Sequence, residues 1–157
     1  MVLIKRHTEG DSRVAKEVPS RVQFNLANRD HIEDVKNLAS EFSDLLNDQV
    51  ANNDWTKIAE PHATDFYNDL CKTINGEMNF MDGKWAHDHY YVYERHHLQK
   101  HCPDNVNLID VIEMICDIVA AGMARSGEIY DMDIPEDILA KAVKNTVELL
   151  KSRTLAI

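Results

Sequence analysis

The sequence has little of several features that other classes of protein need. It has only three cysteines, Cys71, Cys102 and Cys116, and no CxxC pair, which excludes a disulfide framework and favours a reducing compartment. Its net charge of −10 disfavours binding to nucleic-acid polymers or to anionic membrane surfaces. It has no apolar run near the roughly 18 residues of a spanning helix, and its first apolar stretch is too short for a signal peptide. We therefore expect a cytoplasmic protein.

The 157 residues amount to one domain, and 44% of them are apolar, which is enough to bury a core. We expect a hairpin or an extended arm over residues 1–29, because "VLIK" and "RVQFNLA" alternate like strands and "TEGDS" is typical of a turn. A helical domain is expected over residues 30–157. Its first helix is predicted to begin at Asp30, a favourable N-cap that is followed three residues later by Glu33.

The rest of the chain predicts an all-α domain of about five helices. Apolar residues recur at helical spacing in five segments, which are residues 30–50, "HATDFYNDLCKTI", "WAHDHYYVYERHHLQKH", "NVNLIDVIEMICDIVAAGMAR" and "ILAKAVKNTVELLK". The fourth segment is apolar around nearly its whole circumference, which predicts a central buried helix. The apolar face of the fifth segment either closes the core or forms a contact in a homodimer.

Histidine is concentrated in the third segment. The chain has eight histidines, and three of them lie within "YVYERHHLQKH". On a helix, His89 and His96 are seven residues apart and share a face, and His97 lies about 100° around from His96. Beside a carboxylate such as Asp117, these imidazoles make a nitrogen and oxygen site for Mn, Fe, Zn, Ni or Mg rather than a structural zinc site. The alternative is that the histidines are exposed.

The fourth segment carries three acidic residues on one helical face. Asp110, Glu113 and Asp117 stand at positions i, i+3 and i+7. Burying a carboxylate is costly unless it is paired or bound to a metal, so Asp117, with apolar neighbours, is a candidate ligand. The alternative is that these residues are the solvated stripe of an amphipathic helix. Asp110, near the start of the segment, either caps the helix or belongs to the functional site.

Two further groups complete the candidate site. His31 follows the predicted cap of the first helix and faces the same side as its apolar residues. Asp54 stands in "NDWTK", with Lys57 one turn later. Taken alone, His31 is an ordinary core histidine and Asp54 is an ordinary N-cap.

The order of these residues resembles the HD-type phosphohydrolase superfamily, whose fold is all-α. Its pattern is a histidine, a His-Asp pair that often continues as HDxxK, further histidines, and a final aspartate on a later helix. The chain also resembles small, largely uncharacterised phage-encoded proteins over about residues 30 to 152, through "NDWTK" (53–57), "RHHL" (95–98), "NLIDVIEMICD" (107–117) and "AGMARSG" (121–127). A phage origin would place the protein in the host cytoplasm.

The resemblance implies a metal-dependent phosphohydrolase that acts on a small phosphate ester, most plausibly a nucleotide. It implies that Asp54 and Asp117 are the anionic metal ligands. The neutral ligands would be His31, His96 and His97. His89 would be an outer ligand or a phosphate contact. Lys57 and Arg125 would neutralise phosphate oxygens. Glu113 would either act on the attacking water or hold a histidine ligand in place.

One position departs from the HD pattern. Asn53 stands where the pattern has the histidine of the His-Asp pair. An amide oxygen is a poorer ligand than imidazole for Fe or Zn, so either Asn53 ligates weakly or His96 or His97 replaces it. Two other functions therefore stay open, which are an HD-like di-iron oxygenase and a catalytically inactive phage interaction protein. The chain is expected to be a monomer or a homodimer.

Overall fold

A computed structural model describes residues 1–11 and 13–157, so Ser12 of the predicted turn "TEGDS" lies outside the described residues. The described chain is mostly helical, which confirms the predicted all-α class. Its five α-helices are α1 (Arg21–Val50), α2 (His62–Ile74), α3 (Lys84–Asp88), α4 (Leu108–Arg125) and α5 (Glu136–Ser152). Two 3-10 turns (Trp55–Lys57 and Phe80–Asp82) and a π-helical turn (His89–Tyr93) lie between them. None of the described helices combines the length and the hydropathy needed to cross a bilayer.

The chain forms two compact units, of which the first comprises Met1–Asn47 and Val147–Ile157. In this unit β1 (Val2–Ile4) pairs in parallel with β2 (Thr154–Ala156). The predicted N-terminal hairpin is therefore wrong, because the partner of the first strand comes from the other end of the chain. The alternative prediction of a short N-terminal arm is confirmed.

The first helix begins nine residues before the predicted start. In α1, "RVQFNLA" is helical rather than extended, and Asp30 lies inside the helix. The start is fixed by Ser20, whose hydroxyl accepts the Gln23 N–H at 3.2 Å while the Gln23 side chain accepts the Ser20 N–H at 2.9 Å. This reciprocal pair is a capping box of the S-x-x-Q type, and its position was missed in the sequence.

The second unit comprises Asp48–Thr146 and holds a compact apolar core. The buried core residues are Leu98, Val106, Val111, Met114 and Ala142. Helix α5 closes this core with Ala142 and Ile138, and the Leu108 N–H donates to the Thr146 hydroxyl at 2.8 Å. Core closure is thus achieved by only part of the predicted apolar face, because Leu139 and Val143 are exposed.

The buried side chains of helix α4 lie in its first half, and Gly122 is the buried residue of its second half. Val111, Glu113 and Met114 are buried, whereas Val119 and Met123 of the second half are exposed. The prediction of a helix buried all round is therefore wrong for the second half. Both halves of the helix have apolar residues around their whole circumference, so the sequence does not show which half is buried. Burial depends on which elements pack beside each turn.

The third predicted helix, residues 85–101, ends much earlier than expected. Helix α3 stops at Asp88, the backbone widens into the π-helical turn, and Glu94 is extended. Glu94 leaves the helix because its buried carboxylate accepts the Thr56 hydroxyl at 3.2 Å. His96 and His97 consequently lie in turns, and the predicted arrangement of their faces on one helix is wrong.

Candidate metal centre

Five side chains from four segments of the second unit form two groups of candidate ligands that share His97. Asp54 Oδ1 lies 3.5, 3.8 and 4.0 Å from the Nε2 atoms of His89, His96 and His97 respectively. The Nε2 atoms of His89 and His97 are 2.8 Å apart. Ligand atoms of His96, His97 and Asp117 also lie within 4.8 Å of one another. Separations of this size are those of atoms that share one coordination sphere with bonds of about 2.0 to 2.2 Å.

His96 is the residue of the cluster whose polar atoms are least satisfied by the protein. It is 1% exposed, and neither of its ring nitrogens has a hydrogen-bond partner within the described part of the chain. The facing Asp54 Oδ1 is also buried without a partner. Leaving such groups unsatisfied costs about 1–3 kcal/mol each, and native proteins rarely do so. A single cation would satisfy Asp54 Oδ1 and His96 Nε2 together.

A buried hydrogen-bond chain sets the tautomer of His89. The Thr56 hydroxyl donates to the Glu94 carboxylate at 3.2 Å, and it lies 2.7 Å from His89 Nδ1. Because its own proton is directed to Glu94, the hydroxyl accepts from His89 Nδ1–H. The Nε2 lone pair of His89 is thereby left facing Asp54, as a metal ligand requires.

Glu113 lies behind the ring of His96, as Thr56 lies behind the ring of His89. Its Oε1 lies 3.6 Å from His96 Nδ1, on the ring edge opposite the nitrogen that faces Asp54, and its Oε2 accepts the Gln49 side-chain N–H at 2.6 Å. A carboxylate behind a ligating imidazole fixes the ring and raises its basicity. Of the two roles that the sequence leaves open for Glu113, this geometry favours the one that holds a histidine.

The aromatic neighbours of His89 hold its ring in place. Trp85 stacks on His89 with ring centroids 4.3 Å apart, and Phe66 stacks on Trp85 at 4.0 Å. The Trp85 indole N–H donates to the Thr56 carbonyl at 3.0 Å. Trp85 thus positions both His89 and the residue that sets its tautomer.

The backbone at Asp54 is unusual. Asp54 is in the left-handed region, with φ 56° and ψ 25°, between the end of α1 and the first 3-10 turn. Few non-glycine residues adopt this conformation, and Asp and Asn do so most easily. Such conformations cluster at functional sites. The turn directs Asp54 at the histidines while its Oδ2 pairs with Lys57.

The charges of the cluster suit metal binding. Burial would raise the pKa of Asp54, but the hydrogen bond and the charge of Lys57, together with the nearby imidazoles, outweigh it and hold that pKa below its ordinary value. Burial lowers the pKa of His89 to about 4. Burial, together with the adjacent imidazoles, lowers the pKa of His97 to about 3. At neutral pH the site therefore offers an ionised carboxylate and neutral imidazoles, which are the ligand forms of both groups.

These lowered pKa values predict acid sensitivity of the metal-free protein. Unfolded histidines titrate near 6.5, whereas folded His89 and His97 stay neutral well below that value. Below pH 6.5 the unfolded chain binds more protons, so stability present at pH 7 should be lost as the pH falls towards 4, by up to about 1.4 kcal/mol per pH unit for each histidine. Urea unfolding in EDTA at pH 7.5, 6.5 and 5.5 measures this slope. His89→Asn should make the slope shallower, and an unchanged slope would contradict the assignment.

A cavity of about 220 Å³ opens beside the cluster. Its lining includes His97 and Asp117 of the cluster and three cationic side chains, Lys57, Lys100 and Arg125. The rest of the lining is Tyr90, Gln99, Met114, Ile118, Ala121 and Tyr130. A cavity with three cationic side chains next to a candidate metal site, in a chain of net charge −10, is suited by its charge to an anionic ligand.

The structure brings together most of the residues that the sequence singles out. Asp54, Asp117 and the three histidines lie in the cluster, with Lys57 and Arg125 along the cavity. Asp110 is a cap: it completes a capping box with Asn107 and binds the Arg95 guanidinium through two hydrogen bonds, of 2.8 and 2.9 Å.

His31 lies outside both ligand sets. It is an exposed residue of α1 in the first unit, in the wall of a cavity that it shares with Ile4, Arg6 and Asp34. Its role as a ligand stays a prediction. Asn53 lies beside Asp54, and its buried Oδ1 has no hydrogen-bond partner among the described residues, so its amide oxygen remains available as a ligand.

Several residues of the site were not identified from the sequence. They are Thr56, Trp85, Tyr90, Glu94, Lys100 and Tyr130. Thr56 is embedded in "NDWTK", but nothing in the spacing indicates that its hydroxyl would meet a histidine 33 residues away. Lys100 follows the histidine pair by three residues, and that proximity was the one available signal.

Comparison with known proteins gives one family match. The matching family model is described as a family of unknown function (DUF5662), and it covers residues 21–153. Neither the curated proteins nor the solved structures contain a significant match to the chain.

Proposed function

We propose that this chain, which belongs to the DUF5662 family of unknown function, is a metal-dependent phosphohydrolase acting on a small phosphate ester. The observation that carries the proposal is the buried His96, whose unpartnered nitrogen faces the unpartnered Asp54 Oδ1 at 3.8 Å. The cationic cavity beside these atoms supplies the second half of the argument. A cation site alone would fit a structural metal, whereas a cation site that opens on a cavity fits catalysis.

The donor set selects the metal. Three imidazole nitrogens and two carboxylate oxygens suit Mn, Fe, Zn or Ni better than Mg, which prefers an all-oxygen shell and several waters. A divalent ion held here would polarise a phosphoryl oxygen and lower the pKa of a coordinated water. The ligands would be Asp54, His89, His96, His97 and Asp117.

The remaining residues have separate tasks. Lys57 lines the cavity while it pairs with Asp54, so its ammonium is placed to neutralise an oxygen of a phosphoryl group bound at the cluster. Thr56 holds His89 in ligating orientation by a hydrogen bond, and the Glu113 carboxylate, 3.6 Å from His96 Nδ1, acts on His96 through its charge. A nucleotide is the specific substrate that we propose, because its phosphate matches the cations and its base matches the tyrosines of the cavity wall.

Elemental analysis of the purified protein and hydrolysis of p-nitrophenyl phosphate test this function. We expect at least one transition-metal ion per chain and metal-dependent hydrolysis. Asp117→Ala should lower the hydrolysis rate more than about 100-fold. Removing a residue that only supports a ligand costs up to about 100-fold, and the loss of a ligand itself should cost more. Asp44→Ala, an exposed aspartate of α1, is the matched control and should keep parental activity.

Three outcomes would overturn the proposal. Full activity in Asp117→Ala would exclude the ligand assignment. A protein that binds no metal, and whose melting temperature does not respond to Mn, Fe or Zn, would favour an interaction protein instead. An iron chromophore together with oxygen consumption would replace hydrolysis by oxygenase chemistry.

A further inference from the structure

Two cations of the cavity have no partner among the described residues. Lys57 is paired with Asp54, but neither Lys100 nor Arg125 forms an ion pair within the described part of the chain, although acidic residues outnumber basic ones by 27 to 17. Both are exposed at the cavity. Two unpaired cations in the lining of one cavity, in so acidic a protein, indicate a place for a further anion.

The spacing along α4 separates the backbone of Arg125 from the metal cluster. Asp117, Ala121 and Arg125 line the cavity from one face of the helix. The eight residues from Asp117 to Arg125 correspond to about 12 Å along the helix axis. Long helical side chains lean towards the N-terminus of their helix. Along the helix axis, the guanidinium of Arg125 is therefore closer to Asp117 than the Cα atom of Arg125 is. Arg125 is attached about two helical turns beyond Asp117, which allows it to contact an anionic group other than the one bound at the cluster.

Part of the cavity wall is apolar. Met114, Ile118 and Ala121 form this part, and they offer no side-chain donor to an anion. The charged contacts of a bound molecule are thus confined to the cluster with Lys57 and to Lys100 and Arg125. An elongated molecule with an anionic group at each end fits this distribution better than a compact one.

A close backbone contact places Tyr130 at this cavity. A Cβ atom at Gly122 would lie 2.5 Å from the Glu128 carbonyl and 3.2 Å from the Tyr130 backbone nitrogen. Only glycine allows the loop to approach α4 this closely, and the Ser126 hydroxyl reinforces the contact by donating to the Gly122 carbonyl at 3.1 Å. The loop thereby brings the Tyr130 side chain into the cavity lining.

We propose that Lys100, Arg125 and Tyr130 form a second anion subsite, and that the substrate is a phosphate ester with a second phosphoryl group, as in a di- or triphosphate. This inference rests on the proposed function, which places the first phosphoryl group at the metal cluster. A guanidinium and an ammonium together neutralise a phosphoryl group, and the tyrosine hydroxyl can donate to it.

Titration calorimetry with inorganic phosphate and pyrophosphate tests the subsite on the protein as purified. The parent should bind pyrophosphate at least about tenfold more tightly than phosphate. Arg125→Gln should bring the ratio of the two affinities close to one, and Lys100→Gln should reduce it. Lys144→Gln, an exposed lysine of α5, should leave the ratio unchanged. Removal of metal by pyrophosphate would affect parent and variants alike, so the comparison isolates the subsite.

The outcomes separate the subsite from the catalytic proposal. Equal affinities in the parent, or an Arg125→Gln variant that keeps the parental ratio, would overturn the subsite even if p-nitrophenyl phosphate is hydrolysed. A clear pyrophosphate preference that depends on Arg125, in a protein without hydrolase activity, would uphold the subsite and overturn the phosphohydrolase. Tripolyphosphate, compared with pyrophosphate, distinguishes a triphosphate from a diphosphate substrate.

Discussion

Replacing Asp54 with asparagine is expected to abolish metal binding with little change in the fold. The lost charge belongs to the oxygen that faces the Nε2 atoms of His89, His96 and His97 at 3.5 to 4.0 Å. A neutral amide is a far weaker ligand for a transition metal than a carboxylate. Asparagine also tolerates the left-handed backbone of residue 54, so the variant isolates the charge from the conformation.

The measurement is metal per chain after dialysis, together with p-nitrophenyl phosphate hydrolysis and circular dichroism. We expect metal content near zero, hydrolysis reduced more than about 100-fold, and a parental spectrum. Asp48→Asn, an exposed residue in the last turn of α1, serves as the control and should behave as the parent. Stoichiometric metal in Asp54→Asn would show that the histidines bind without this carboxylate, and the centre proposed here would be wrong.

Replacing Trp85 with alanine should cause the largest loss of stability. The side chain is 2% exposed, and it stacks on both His89 and Phe66. Removing a buried aromatic side chain of this kind typically costs about 3–5 kcal/mol, because the cavity left behind collapses only partly. Urea unfolding in EDTA measures this loss without any contribution from bound metal. Tyr67→Ala, an exposed aromatic of α2, should change stability by less than about 0.5 kcal/mol.

A second substitution separates packing from positioning. Trp85→Phe keeps an aromatic ring against His89 but removes the N–H that binds the Thr56 carbonyl at 3.0 Å. It should retain most of the stability and yet weaken metal binding, since Thr56 sets the tautomer of His89. Parental metal affinity in Trp85→Phe, beside a large stability loss in Trp85→Ala, would restrict Trp85 to a packing role.

The helices that could be predicted are those with local boundary signals. Helix α2 has the predicted bounds, because Pro61 precedes it and Asn75-Gly76 follows it. The start of α1 was missed because a stronger capping box, at Ser20 and Gln23, lies upstream of Asp30. The end of α3 was missed because a tertiary contact between Glu94 and Thr56 determines it, and no local pattern records such a contact.

The composition of the site was more predictable than its geometry. The concentration of histidine and the carboxylate of Asp117 in an apolar helix indicated residues that the structure brings together, since both features are costly without a partner. The predicted convergence of His96 and His97 with Asp117 assumed a continuous helix, whereas turns after the π-helical segment produce it. Tyr130 could not be predicted, because its place depends on the contact between its loop and Gly122.

The burial of the histidines also bears on how quickly an ion could be exchanged. His89 and His96 are each 1% exposed, so solvent and chelators have no direct access to them. An ion at this centre would therefore be reached only from the cavity, where His97 and Asp117 form part of the lining. Exchange would then depend on the size of the chelator, because a small molecule enters a cavity of about 220 Å³ and a bulky one does not.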